Sequence, residues 1–431
     1  MSFDLIIKGG TLPDGNVADV GIKGDRIAAI EPRIDAEAGR VVDASGDLVS
    51  QPFVDPHFHM DATLSYGLPR INASGTLLEG IALWGELKPL LTHAAVKQRA
   101  LAYCDWAVSM GLLAIRTHVD TCDDRLLAVE ALLEVKKEIA PYIDLQLVAF
   151  PQDGFYRSPN ARENTIRALD MGVDIVGGIP HFERTMSDGT RSVTELCEIA
   201  VKRGLMVDLH CDETDDPLSR HIEQLAYETQ RLGLQGRVAA SHLTSMHSMD
   251  NYYVSKLLPL IAEADISVIP NPLINIMLQG RHDTYPKRRG LTRVPEMLKA
   301  GIRTGWGQDC VLDPWYSLGT ADMLDVAFMG LHVAQMSSPT DMRTCFDMVT
   351  KINAEIMGLD HLGLAVGKSA SLVVLDAGNP IEAVRLRAER VCVVAKGKVV
   401  AEREKRDTAL SIKGRPATIN RRHIVPRHSP A

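Results

Sequence analysis

Short apolar runs recur along the whole chain, and the polar spacing between them changes twice. Over the first fifty residues the runs are close together. Phe3-Asp4-Leu5-Ile6-Ile7-Lys8 ends at Gly9-Gly10, Asp19-Val20-Gly21-Ile22 precedes a Gly24-Asp25 turn, and Arg26-Ile27-Ala28-Ala29-Ile30 follows it. Strands bounded by glycine-rich turns have this form. It returns near the other end, where Ala370–Asp376 and Val391–Ala395 are followed by a Lys396-Gly397-Lys398 turn and Val399-Val400. Two half-modules, residues 1–50 and 366–402, predict one small β-sandwich assembled from both termini.

Between them the period lengthens. Apolar runs at Leu48–Val54, Leu112–His118, Asp144–Phe150, Val173–Gly177, Met206–His210, Val238–His242, Ile266–Pro270 and Ile302–Gly305 alternate with helical stretches. The helices are expected at Ala94–Met110, Leu126–Ile139, Ser192–Arg203, Pro217–Leu232 and Tyr252–Ala264. Eight alternations predict an α/β fold, a (β/α)8 TIM barrel over residues 51–365, with its active site at the C-terminal ends of the strands. An open doubly wound sheet is the competing architecture, but no GxGxxG follows the first strand, so a dinucleotide site is unsupported. Residues 403–431 lose the pattern and are expected to form a surface tail.

Composition narrows the partners. Lys and Arg number 47 against 55 Asp and Glu, a formal net charge of −8. That balance disfavours a nucleic-acid groove or a polybasic membrane surface, both of which gather cations against phosphates. No apolar run reaches the ~18 residues of a membrane span, and the N-terminus lacks the pattern of a secretory signal. Seven cysteines with no CxxC pair fit reduced thiols in a cytoplasmic protein. A small neutral molecule is the expected ligand.

The histidines carry most of the chemistry. His57 and His59 in Pro56-His57-Phe58-His59 stand two apart, so in extended backbone both imidazoles face one side. Alone, the pair is a weak signal. His210 closes the fifth predicted strand, His242 closes the sixth and Asp309 follows the eighth, all at one end of the barrel. Imidazoles with one carboxylate suit a borderline divalent ion, Zn²⁺ or Fe²⁺. Glu213, three residues after His210, is either a proton-moving carboxyl beside that ion or a solvated acid in the run Asp212–Asp216. His118, His181 and His247 read as supporting or core histidines. His93, His332, His361, His423 and His428 read as packing or surface residues.

Taken together, these stretches resemble the amidohydrolase superfamily, and within it the barrel-type bacterial cytosine deaminases. The resemblance runs over roughly residues 1–400. It rests on Pro56–His59, Arg116–Asp120, Ala149–Gln152, Pro180–Glu183, His210–Glu213, Ala240–His242, Asn271–Asn275, Asp283–Gly290 and Asp313–Tyr316. It implies one divalent ion, iron or zinc, on His57, His59, His210 and Asp309, with Glu213, His242 and Asp309 handling protons. Gln152 and the backbone at Leu77 would grip a pyrimidine, and Trp315 would wall the pocket. It also implies a homo-oligomer. The fourth strand region, Val173–Pro180, has no lysine to bridge two ions, which favours one ion with an open position for water.

The departure from that family lies at Gln308-Asp309-Cys310, where the usual pattern is histidine followed by two aspartates. The second aspartate of the family faces the C5 edge of the base, so here a thiol takes the place of a charge. A carboxylate against a methyl would lose hydration without gaining a partner, whereas a thiol is small and weakly polar. The expected reaction is therefore hydrolytic deamination of a free base, cytosine or, preferably, 5-methylcytosine, which would give thymine and ammonia. Simple tolerance of cysteine at this position, with cytosine still preferred, is the alternative. Other readings are an aminohydrolase of another small nitrogen ring, such as a triazine, creatinine or an isocytosine-like base, and a non-catalytic scaffold.

Overall fold

The computed structural model describes residues 2–404 and 407–420. Seven strands, Phe53–Phe58, Leu112–Asp120, Asp144–Phe150, Ile175–Gly178, Met206–Cys211, Val238–His242 and Ile266–Ile269, form one sheet in chain order. Every neighbouring pair in it is parallel. The eighth staff of the barrel is shorter than expected. Residues 304–309 close the ring only through bridges, Val268 to Thr304 and Phe58 to Asp309. Backbone bonds from Gly305 N to Val268 O (3.0 Å) and from Asp309 N to His57 O (2.8 Å) complete the seam.

Gly307 shows why this staff cannot be a regular strand. A Cβ there would lie 2.2 Å from Asn271 Oδ1 and 2.9 Å from His57 Cβ. The backbone is pressed against its neighbours, and only glycine permits that approach.

Helices cover the barrel by burying one stripe each. In Leu127–Ile139, Val129, Leu132, Val135 and Ile139 are buried at helical spacing, and each apolar side chain removed from water contributes about 1.5–3 kcal/mol. Thr92 caps the helix His93–Ser109 by accepting from Ala95 N. The expected helices at Ser192–Arg203 and Pro217–Leu232 are Met186–Arg203 and His221–Leu232. The earlier start of the first follows from Thr185, whose side chain accepts from Asp188 N.

The terminal module draws on both ends of the chain, as expected. Its strands join one eight-stranded mixed sheet in the order Lys398–Glu402, Arg390–Ala395, Leu372–Leu375, Leu48–Ser50, Phe3–Thr11, Val17–Lys23 and Arg26–Glu31, with Ala38–Asp43 paired to Phe3–Thr11. Leu5, Val20, Val49, Leu372 and Val394 belong to one buried apolar cluster, so both termini build the same core. The run Leu48–Val54, expected as the first barrel strand, divides instead. Leu48–Ser50 pairs with Leu372–Leu375 in the terminal sheet, and the barrel begins at Phe53. Gln51-Pro52 lies between them, and proline, with no N–H to give, breaks the ladder.

In the tail, Thr408–Ala409 pairs with Thr418–Ile419. Residues 405–406 and 421–431, which include His423 and His428, lie outside the described residues.

Candidate active site at the barrel mouth

Strand ends deliver the polar side chains to one place. Pro56 interrupts pairing within the first strand, and its register against the second shifts between Asp55 and Phe58. His57 therefore lies inside the strand and His59 just beyond it, with ring centroids 5.6 Å apart. His210 lies in the fifth strand and His242 ends the sixth. His242 and Asp309 both take left-handed backbone, φ 70° and 69°, a strained conformation that folds keep mainly at functional sites.

The five side chains converge. His59 Nε2 is 3.0 Å from His210 Nε2, and Asp309 Oδ1 is 3.5 Å from His57 Nε2 and 3.3 Å from His59 Nε2. Candidate ligand atoms of His57, His210, His242 and Asp309 lie within 4.8 Å of one another, as do those of His57, His59, His118 and His210. All six residues are buried. Both ring nitrogens of His57 and Nδ1 of His210 have no hydrogen-bond partner among the described residues. Buried donors and acceptors are normally paired, and a divalent ion between these rings would satisfy them.

Ionisation favours the same reading. Burial and the neighbouring imidazoles hold His210 well below its usual range, and burial does so for His242 despite Asp309. Both are neutral, as nitrogen ligands must be. Burial works against the Asp309 carboxylate, but His57 and His59 outweigh it and keep its pKa well below the usual range. At His59 burial is outweighed by Asp309, which raises the imidazole pKa, so a proton and a cation compete there. These residue types and their protonation states fit a divalent ion.

Beside them lies a cavity of about 200 Å³, lined by Leu77, Gln152, Glu213, Asp309, Cys310 and Trp315 together with apolar neighbours. The structure thus brings together every residue singled out in the sequence for the pocket. Glu213 is buried, and burial together with the charge of Asp309 lifts its pKa well above the usual carboxyl range. It lies 3.4 Å from His242 Nδ1. It is not the solvated loop acid that the acidic run allowed.

Some contributors were not read from the sequence. Asn275 and Asn271 point their amide nitrogens at His242 Nδ1, at 3.0 and 3.2 Å. The Asn271 amide nitrogen is also 3.4 Å from His242 Nε2, which faces Asp309 Oδ2 at 3.8 Å, so the two amides hold the ring in place. His181, treated as a supporting histidine, lines the cavity and accepts from Glu213 N at 3.4 Å. Its position just past the fourth strand was the available signal. His118 lies beneath the cluster, 3.5 Å from Asp208, which Arg116 holds at 2.9 Å. His247 Nδ1 donates elsewhere, to Leu291 O at 3.1 Å.

A parallel barrel that gathers imidazoles and a carboxylate at its strand ends, suited to a divalent ion and beside a small pocket with a buried acid, has the form of a hydrolase. The amidohydrolase family matches residues 40–401, and the chain belongs to that family, whose members cleave C–N bonds by hydrolysis. The solved structure of 5-methylcytosine deaminase from Klebsiella pneumoniae with 5-fluorocytosine is 42% identical, with a TM-score of 0.91 over 94% of this chain and 99% of that one. N-isopropylammelide isopropyl amidohydrolase of Pseudomonas sp. (strain ADP) is 31% identical over 93% of this chain and 98% of its own length. Pterin deaminase of Rhizobium rhizogenes is 30% identical over 83% and 82%. Among the described residues no helix is long and apolar enough to cross a membrane.

Proposed function

We propose that the chain deaminates a free cytosine-type base, with 5-methylcytosine preferred, giving thymine and ammonia. The observation that carries the substrate is Cys310. It lines the cavity next to Asp309, and burial, with Asp309 and Asp313 beside it, lifts its thiol well above the usual range. The cavity wall therefore presents a neutral S–H where a carboxylate would repel a methyl. The likeness to the Klebsiella pneumoniae deaminase supports this reading. So does the volume, which is below the 300–1,000 Å³ of ordinary ligand pockets and suits a single ring.

In this proposal His57, His59, His210 and Asp309 hold one divalent ion, iron or zinc. The chemistry that such an ion would supply is a lowered pKa for water, from ~15.7 towards ~7, and so a nucleophile at neutral pH. Asp309, ionised, and His242 orient the attacking water, and Asp309 accepts its proton. Glu213, whose proton affinity is raised by burial and by Asp309, gives a proton to the ring nitrogen next to the reacting carbon as electron density moves there. Asp309 then returns its proton to the departing amine, and Glu213 recovers a proton from the new hydroxyl as the carbonyl forms and ammonia leaves. Gln152 and the backbone at Leu77 hold the polar edge of the base, and Trp315 closes one side.

The test is kcat/KM for cytosine against 5-methylcytosine in the native chain and in Cys310→Asp. A single methyl group in a pocket is worth about 1–3 kcal/mol, or 10–200-fold. The native chain should favour 5-methylcytosine, and Cys310→Asp should move the ratio towards cytosine by about that factor. A native preference for plain cytosine would refute the substrate. Release of ammonia from neither pyrimidine, but from a triazine or pterin, would move the assignment towards the other relatives.

A further inference from the structure

One wall of the cavity is the helix Leu77–Leu87, which contributes Leu77, Leu78 and Ile81. That helix meets the opposite wall through a glycine. A Cβ built on Gly80 would fall 2.4 Å from Trp315 Cδ1 and 3.0 Å from both Cγ and Nε1. The indole therefore lies directly on the helix backbone. Gly80 has ordinary helical backbone, and glycine is the poorest helix former after proline, so the close approach is what calls for it. Gly85 in the same helix provides the contrast, since a Cβ there meets nothing within 4 Å.

Neither wall is free to retreat. Asp313 Oδ1 accepts from the backbone N–H groups of Trp315 and Tyr316, each at 2.9 Å, and so fixes the turn that carries the indole. On the helix, Trp84 is buried with its ring 5.7 Å from that of Trp315. Its Nε1 donates to Asp120 Oδ2 at 2.8 Å, and Lys88 Nζ lies 2.8 Å from the same oxygen. At the other end Thr76 caps the helix by accepting from Glu79 N. The indole itself lines the cavity, with the His59 ring 6.1 Å away.

We propose that the Gly80–Trp315 contact sets the width of the cavity, which makes Gly80 a specificity-determining position although it has no side chain and touches no substrate. The choice of substrates for testing this rests on the deaminase reading above. A methyl group added at Gly80 has to displace the indole, and the yielding direction is into the pocket, where it narrows the space for the larger base.

The experiment compares metal-loaded Gly80→Ala and Gly85→Ala proteins of equal metal content. For Gly80→Ala, kcat/KM with 5-methylcytosine should fall tenfold or more, mainly through KM, with a smaller loss for cytosine. Gly85→Ala should match the native chain. In a Trp315→Phe background, where the ring that the new methyl would displace is smaller, the effect of Gly80→Ala should shrink to under threefold, because the two positions act through one contact. Equal losses on both bases that persist in the Trp315→Phe background would overturn the proposal, as would no loss at all. If the native chain deaminates neither base, the functional reading has failed on its own account. The crystal structure of Gly80→Ala then decides: an indole displaced into the cavity supports the proposal, and an unmoved one overturns it.

Discussion

The terminal sheet and the barrel mouth both bury polar groups, but they use them differently. In the terminal sheet, Asp19 places each carboxylate oxygen on a backbone amide, Oδ1 on Gly9 N and Oδ2 on Ile34 N, both at 2.8 Å. The carboxylate is fully employed in holding its own fold. At the barrel mouth, both nitrogens of His57, Nδ1 of His210 and Oδ2 of Asp313 have no partner among the described residues. Leaving a buried polar group unpaired costs about 1–3 kcal/mol. In the strands of the terminal sheet Ser50 Oγ is also without a partner among the described residues, but there it is isolated, whereas at the mouth such groups are clustered. Unpaired groups, together with strained φ at His242 and Asp309, mark the region shaped for a ligand rather than for stability.

The largest expected difference comes from Asp309. Asp309→Ala should abolish tight binding of a divalent ion and reduce turnover by about 10⁴-fold, a loss typical for a member of a catalytic unit. Metal analysis and ammonia release check both. A variant that keeps its metal and most of its activity would break the comparison at its centre. Glu213→Gln should leave metal content intact and still lose about 10²–10⁴-fold in kcat, the usual contribution of a positioned proton donor. Near-normal turnover there would remove Glu213 from the chemistry.

The terminal sheet should behave the other way. Leu372 is fully buried in its core, and Leu372→Ala should cost about 2–5 kcal/mol of stability in chemical denaturation. The folded variant should keep kcat/KM within about twofold. A large catalytic loss would show that the sheet reaches the site energetically.

How much of this was legible in the sequence follows from the same contrast. Asp144–Phe150 and Val238–His242 have the expected bounds, because buried parallel strands read as continuous apolar runs. The histidines were legible because a strand end in a barrel is also a place on its mouth, so one-dimensional position implied three-dimensional proximity. The first strand was misplaced because Leu48-Val49 and Phe53-Val54 are both apolar, and although Pro52 marks a break between them, nothing local tells which sheet each joins. The eighth staff was drawn too regular because Gly305 and Gly307 are there for close approach, and sequence does not show what approaches. The stretch Asn271–Asn275 was noted without a role, since its grip on His242 depends on a turn that periodicity does not specify. Gly80 was invisible for the same reason as Gly307.

Asp313 offers the finest cut between the two regions. Burial pushes its carboxyl up to about 7, against the opposing pull of Cys310 and the amides of Tyr316 and Trp315. Below about 3.8 the group is protonated in both folded and unfolded chains and contributes no slope. Between there and about 7 the unfolded chain releases the proton while the folded one retains it, so stability falls as pH rises, by up to about 1.4 kcal/mol per unit. Above about 7 both forms are ionised and the curve levels. Asp313→Asn keeps the Oδ1 acceptor for the two amides but cannot titrate. In metal-free protein, urea unfolding from pH 4.5 to 8 should show the variant gaining on the native chain as pH rises, with the gap levelling above about 7. Leu372→Ala, whose defect is apolar, should stay at a constant distance below the native curve throughout. If Asp313→Asn also runs parallel to the native chain, then the buried carboxyl at the mouth is as well provided for as Asp19 in the sheet, and the distinction between the two regions does not extend to it.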